Sequence, residues 1–207
     1  MPYGFLDIAM TPSVVAAQEA MGADGIWKDF RGNRAFDRFT EDERNFIEAR
    51  DSFYMASVSE TGWPYVQHRG GAPGFLKVLD DRTLAFADYR GNRQYLSVGN
   101  VAADGRCALI LVDYPRRARL KILAVAEVVR VPDRELARSV AMPEYKAVVE
   151  RVFRLRLQAF DWNCPQHITP RFTRAEVETS VEPLRERITQ LEMENITLRS
   201  RLADQGE

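Results

Sequence analysis

The 207-residue sequence holds only two cysteines and two histidines. Cys107 and Cys164 are too far apart in the chain to suggest a disulfide framework, and the short ligand pairs of a zinc site are absent. Long hydrophobic runs are missing too: the longest uninterrupted apolar stretch is Cys107 to Val112, too short to span a bilayer. Nor is there an excess of basic charge. Lys plus Arg number 29 against 30 for Asp plus Glu, a formal net charge of −1. That balance argues against nucleic acid as the main partner, but leaves room for a local basic pocket that takes one small phosphate. Met1 to Asp7 show neither the basic start nor the apolar stretch of a secretory signal, so the expectation is a cytoplasmic protein with no membrane segment. What the chain does have is 45% hydrophobic and 29% charged residues. It can bury a sizeable core, which excludes a disordered scaffold.

Periodicity divides the chain into three parts: 1–50 helical, 51–172 built of strands, and 173–207 a separate tail. Thr11-Pro12 caps a first helix carrying Val14, Val15, Ala17 and Met21, which Gly22 and Gly25 end. A loop around Trp27, Phe30 and Gly32-Asn33 leads to a second helix, opened by a capping box of Thr40 and Glu43. The period then shortens to two. Phe53–Ser59 and Pro64–Arg69 read as strands around a turn at Gly62, and Phe75–Leu79 pairs with Thr83–Tyr89 around Asp80-Asp81. A short helix is expected over Gln94–Val101, then strands over Arg106–Val112 and Leu120–Val131. Helical stretches follow from Pro132 to about Met142 and over Glu144–Val149, and Arg151–Phe160 is the last strand. Short strands mostly in hairpin order point to a mainly β protein with peripheral helices (α+β), an antiparallel barrel and not a doubly wound sheet.

In the tail, apolar residues fall at 181, 184, 188, 191, 198 and 202. Val181, Ile188, Asn195 and Leu202 occupy the a positions of a heptad, and Leu184, Leu191 and Leu198 the d positions. Branched residues at a with leucine at d favour two parallel strands, and one Asn at a fixes their register. Arg187 then faces Glu192 of a partner copy, and Glu194 faces Arg199. The alternative is an amphipathic helix packed on its own barrel. Glu176, Glu178 and Glu182 stand where a zipper-type DNA binder carries its basic run, so the tail reads as a dimerisation element.

Three polar segments are candidates for chemistry. Tyr89-Arg90-Gly91-Asn92-Arg93-Gln94 leaves a strand and enters a helix, where guanidinium forks and free backbone amides suit a phosphate. It lacks a Walker or dinucleotide glycine pattern, and a solvated polar loop is the other reading. On the strand Tyr65–Arg69, alternation puts Gln67 and Arg69 on one face, followed by Gly70 and Gly71, which could admit a flat ring close to the backbone. Taken alone, the same residues read more readily as an edge strand with a bulge. Asp161-Trp162-Asn163-Cys164-Pro165-Gln166-His167 sets a Cys and a His three apart, but no third group orients the imidazole, and a rigid loop closing the barrel explains the prolines.

Together these segments resemble the pyridoxamine-phosphate-oxidase-like flavoproteins. The resemblance rests on Phe53–Ser59 with Gly62-Trp63-Pro64, on His68-Arg69-Gly70-Gly71-Ala72-Pro73-Gly74-Phe75, on Gly91-Asn92, on Ser97-Val98-Gly99-Asn100, and on Asn163-Cys164-Pro165-Gln166-His167-Ile168, over about residues 35–172. It implies a split β-barrel that binds FMN at a homodimer interface. Carried onto this sequence, it makes Arg69 and Arg93 phosphate ligands, with hydrogen bonds from Asn92, Gln94 and Ser97. Gln67 and His68, with Ala87 and Asp88, would line the flavin edge. Asn163, Gln166, His167 and Arg171 resemble the late segment that reaches toward the flavin, often across the dimer. The true oxidases end near a Trp and an Arg that hold pyridoxal phosphate, whereas this chain ends in a heptad helix, so no vitamin B6 substrate is assigned. The expected activity is FMN-dependent oxidoreduction, passing electrons from a reduced donor to a small acceptor. The alternatives are a flavin storage or sensor module without turnover, or a barrel holding haem or a deazaflavin coenzyme. A haem would need His68 or His167, the only two histidines, as axial ligand.

The heptad makes one testable statement. Asn195→Leu should strengthen helix association while relaxing its two-strand specificity, read as mass by light scattering; a variant that remains purely dimeric counts against the buried-Asn account.

Overall fold

Alternation of inward and outward side chains governs the middle of the chain. In the computed structural model, which describes residues 4–27, 37–130, 134–142 and 145–204, seven strands form one antiparallel sheet. They are β1 Ser52–Val58, β2 Pro64–Gly70, β3 Lys77–Val78, β4 Thr83–Tyr89, β5 Arg106–Asp113, β6 Ala118–Arg130 and β7 Val149–Asn163. Their order across the sheet is β2-β1-β5-β6-β7-β4-β3. One rung shows why these residues make these strands: Met55, Leu109, Ile122 and Phe160 face one another across four neighbouring strands, and all are buried. Outward neighbours such as Tyr54 and Val125 stay exposed.

β7 changes face midway. Phe153, Leu155 and Leu157 point inward; the register then shifts opposite Leu123 and Ala124, leaving Gln158 as the extra residue. Beyond this bulge Phe160 and Trp162 are the inward residues, so one strand serves the core at both ends despite its length.

The sheet curls until its distant strands meet. Phe53 on β1 sits edge-on to Phe86 on β4 at 5.3 Å, although three strands, β5, β6 and β7, separate β1 from β4 along the sheet. Phe86 stacks on Phe153 at 5.0 Å and Phe53 on Phe75 at 5.5 Å. The result is a split antiparallel barrel with an aromatic centre, each such pair adding about 0.5–1.5 kcal/mol beyond burial.

The helices are α1 Phe5–Ala9, α2 Pro12–Ala20, α3 Asp24–Trp27, α4 Glu41–Glu48, α5 Leu96–Ala103, α6 Arg134–Ser139 and α7 Arg174–Asp204. Thr11 caps α2 as the sequence leads one to expect, with Pro12 at its first position and Gly22 in the left-handed region just past its end. Thr40 and Glu43 form the predicted capping box on α4. α1 and α3 were not anticipated; α3 runs through Gly25 and Trp27, where a break and a loop were expected, and Phe30, Gly32 and Asn33 lie outside the described residues.

Three further expectations are corrected. Only Lys77–Val78 of the expected strand 75–79 pairs, because Phe75 and Leu76 leave the turn at Gly74 directly into the core. The helix expected over Glu144–Val149 is absent from the described residues 145–149: Val148 accepts a backbone hydrogen bond from Arg90, and Val149 already pairs with Tyr89 in the sheet. The helix expected from Pro132 is described only as α6.

The chain divides into two compact units, Met1–Asp113 with Arg117–Gln166, and Tyr114–Arg116 with His167–Glu207. In the second, Arg171 lies over the ring of Tyr114 at 4.9 Å, and α7 leaves its seam residues Leu184, Ile188, Leu191, Leu198 and Leu202 exposed. No helix among the described residues is long and apolar enough to cross a membrane.

Glu43 ties α4 to the sheet. Its carboxylate accepts from the Thr40 backbone at 2.9 Å, from the Thr40 hydroxyl at 2.6 Å and from the Trp162 indole at 2.7 Å. Burial works to raise its pKa, and the hydrogen bonds from Thr40 and Trp162 outweigh it, so the group titrates below its ordinary value. A depressed folded value means that this stabilisation is present at neutral pH and is lost as pH falls through the folded pKa. Glu43→Gln should therefore lower stability at pH 7 by about 1–3 kcal/mol in denaturant titration and flatten the acid limb of the stability curve. An unchanged acid limb would refute the assignment.

Candidate functional site

Strand alternation builds the site. On β2, Tyr65, Gln67 and Arg69 turn toward the barrel mouth, while Pro64, Val66 and His68 are exposed on the other face. On β4, Leu84, Phe86 and Asp88 share one face, and Ala85 and Ala87 the other. Arg69 and Asp88 thus approach each other from strands at opposite ends of the sheet, and Arg69 Nη1 donates to Asp88 Oδ1 at 2.8 Å. From β7, Arg151 Nε donates to Asp88 Oδ2 at 3.0 Å. One buried carboxylate is held between two guanidiniums.

The Arg69 guanidinium also lies 5.1 Å from the Phe153 ring centre and 5.7 Å from that of Phe86. Its Nε is buried without a hydrogen-bond partner. An orphaned donor of this kind is costly unless something else accepts from it.

Around this trio lies a pocket of about 270 Å³. Besides the β2 face, Asp88 and Arg151, it is lined by the loop Gly91–Tyr95 and by Leu96, Ser97 and Val98 of the first turn of α5. The loop is set by local geometry. Asn92 accepts the Gln94 backbone amide at 3.1 Å, and Arg93 and Tyr95 both adopt positive φ, 61° and 54°. Ser97 is buried at the start of α5, where unpaired backbone amides and the helix dipole favour an anion.

Next to the pocket, Glu150 accepts from Arg90 at 2.9 Å, from Arg151 at 2.7 Å and from Tyr95 at 3.1 Å. The Arg90 hydrogen bond leads in holding its carboxyl below the ordinary range, despite partial burial. Burial is the largest influence on Arg151 and opposes its charge, but Asp88, Tyr95 and Glu150 together outweigh it, so Arg151 stays firmly protonated. Arg93, by contrast, makes no ion pair or hydrogen bond among the described residues.

Of the sequence-predicted site residues, Gln67, Arg69, Asp88, Asn92, Arg93, Gln94 and Ser97 line this one pocket. His68 does not: it faces away from Gln67 and Arg69, its ring 5.4 Å from that of Tyr54. Ala87 is turned from Asp88 into a small cluster with Leu136, Val140 and Val152. Asn163 ends β7 opposite Arg119, Gln166 is exposed just beyond, and His167 and Arg171 belong to the second unit. Within the first unit, His68, Ala87, Asn163 and Gln166 are not among the residues that line the pocket. Gly71 does not offer space for a ring either, since a Cβ there would stand 2.7 Å from Phe75, whose side chain fills that room.

Sequence reasoning missed Arg151, Tyr65 and Tyr95. Tyr65 was legible, since it shares the alternation of Gln67 and Arg69, and its hydroxyl donates to Gln67. Arg151 was not, because its neighbour Asp88 is 63 residues away in sequence.

The fold and this polar mouth define a split-barrel protein with a compact, arginine-lined cavity. The family model described as pyridoxamine 5'-phosphate oxidase matches residues 39–163, and the chain belongs to that family. No curated protein matches the sequence. Among solved structures, HupZ of Group A Streptococcus is similar at 14% identity, covering 65% of this chain and 99% of that one, with a TM-score of 0.47. An FMN-binding protein from Syntrophomonas wolfei is similar at 12% identity, with coverage of 70% and 97% and a TM-score of 0.46. HutZ, a heme storage protein from Vibrio cholerae, is similar at 14% identity, with coverage of 60% and 94% and a TM-score of 0.42.

Proposed function

We propose that the chain is a homodimeric FMN-binding oxidoreductase. One observation carries the reading: the pocket sets three arginines against a single carboxylate, with Arg93 uncommitted and Arg69 Nε lacking an acceptor. A surplus of guanidiniums beside the amides of a helix start fits a phosphate monoester, and the orphaned Nε fits a further acceptor on the same ligand. Arg93 with Asn92, Gln94 and Ser97 would hold the phosphate. Arg69, already committed to Asp88 through Nη1, would donate from Nε, and Gln67 would orient the rest of the molecule. Bound FMN supplies the electron chemistry itself, which is why the site needs no nucleophile or dedicated acid.

The cavity of about 270 Å³ lies below the range of about 300–1,000 Å³ usual for whole ligands. A cavity of this size on one protomer fits a site to which a second copy contributes. Asn163, Gln166, His167 and Arg171 are the residues proposed to complete it from the partner, and α7 is proposed to pair with its counterpart as a parallel coiled coil.

The absorption spectrum of the purified protein, with release of the chromophore, tests the cofactor: flavin bands releasing FMN are expected. A Soret band, or a colourless protein that refuses added FMN, would overturn the reading. Flavin that binds but is never reoxidised by any acceptor would make the protein a storage or sensor module. Arg93→Ala should weaken FMN by roughly tenfold or more while leaving riboflavin, which has no phosphate, nearly unaffected. Equal losses for the two would remove Arg93 from the phosphate site. Ending the chain before Val181 should lower dimer stability in sedimentation at low micromolar concentration; an unchanged profile would assign the dimer to the barrel alone.

A further inference from the structure

We infer that Arg151 determines the pocket's preference for a phosphorylated ligand, by occupying the second carboxylate oxygen of Asp88. The inference rests on the proposed FMN site and adds a residue to it that no sequence motif marks.

A carboxylate in the wall of a phosphate pocket is a contradiction unless its charge is cancelled locally. Asp88 is that carboxylate: its side chain is 7% exposed, and it lines the cavity. Each oxygen has its own guanidinium, Oδ1 from Arg69 and Oδ2 from Arg151. Asp88 and Arg151 are direct cross-strand partners on β4 and β7, so the sheet register itself brings them together. Arg151 is also fixed from other sides. Its Nη2 donates to Glu150 at 2.7 Å, and its guanidinium lies 4.3 Å from the Tyr95 ring centre. Glu150 is shared with Arg90 and Tyr95, so its charge is met by other donors as well.

Without Arg151, Asp88 keeps only Arg69, and Oδ2 turns an uncompensated charge toward the same cavity. The penalty falls on a ligand phosphate and not on an uncharged ribityl end. That makes Arg151 a specificity-determining residue, distinguishable from one that merely holds the barrel shut.

The test compares wild type with Arg151→Gln, Arg151→Lys and the double variant Asp88→Asn/Arg151→Gln. Dissociation constants for FMN and for riboflavin are measured by fluorescence, with melting temperature recorded in rising inorganic phosphate. Arg151→Gln should reduce the preference for FMN over riboflavin by about tenfold. Arg151→Lys, which keeps the charge, should retain most of the preference. The double variant, in which no unpaired carboxylate remains, should recover most of what the single variant loses. If FMN and riboflavin weaken together, or Asp88→Asn restores nothing, Arg151 is structural and the inference is overturned. The phosphate series separates the two readings. If wild type is stabilised by phosphate but shows no preference for FMN, the FMN reading fails, and Arg151 is judged on the phosphate response of the same variants. If wild type answers to neither, both fall.

Discussion

The ion pairs from Asp88 to Arg69 and Arg151 are the contact on which the open side of the barrel depends. β2 ends the sheet on one side, and β4 with β3 ends it on the other; no backbone ladder joins them among the described residues. Below the mouth, the gap is bridged by rings: Phe53 of β1 meets Phe86 of β4, which is itself stacked on its cross-strand partner Phe153. At the mouth itself the side chains are polar, and the bridge is electrostatic. Removing one partner from such a buried cluster leaves an uncompensated charge, which is far more costly than the cluster is stabilising. The barrel is split because that bridge is made by side chains and not by strands, and a split barrel leaves a mouth that a ligand can enter.

Local strain sits at the same place. Arg93 and Tyr95 hold positive φ, 61° and 54°, in residue types for which that conformation costs on the order of 1 kcal/mol or more. Two things hold Tyr95 there: its hydroxyl donates to Glu150, and its ring carries the Arg151 guanidinium. The effect of the strain is to bring the loop down onto α5, so that Asn92, Arg93 and Gln94 face the same cavity as the buried Ser97. The loop is therefore anchored at Tyr95, through the Glu150 carboxylate and the face of its own ring.

Features with a local cause were legible in the sequence. The Thr40 box, the Thr11-Pro12 start and the pairing of Phe53–Ser59 with Pro64–Arg69 all follow from neighbours within a few residues. Alternation also found Gln67 and Arg69. The same rule turns the side chains of His68 and Ala87 away from the pocket: each sits one residue from a pocket residue and therefore on the opposite face. What escaped has a distant or irregular cause. The bulge at Gln158 changes the inward face of β7 with no glycine or proline to announce it. The stretch 145–148 has helix-compatible residues but meets Arg90 and Tyr89 instead, a tertiary demand that overrides propensity.

The tail obeys a different logic from the barrel. Within α7, thirty-one residues long, ion pairs run along the helix surface, from Arg174 to Glu178 and from Arg185 to Glu182. Such exposed pairs contribute only about 0.3–0.5 kcal/mol each, too little to hold a helix of this length whose leucines are exposed to water. Leu184, Ile188, Leu191, Leu198 and Leu202 form a stripe with 46–70% of their surface exposed. Helices in water draw most of their stability from burying such a stripe. Its heptad spacing, with Asn195 at an a position, matches a second helix of the same sequence better than a flat sheet face, because an a-position Asn is satisfied by its own counterpart across a two-strand seam. On the proposed reading, one partner, a second copy of the chain, accounts both for this exposed stripe and for the modest volume of the cavity.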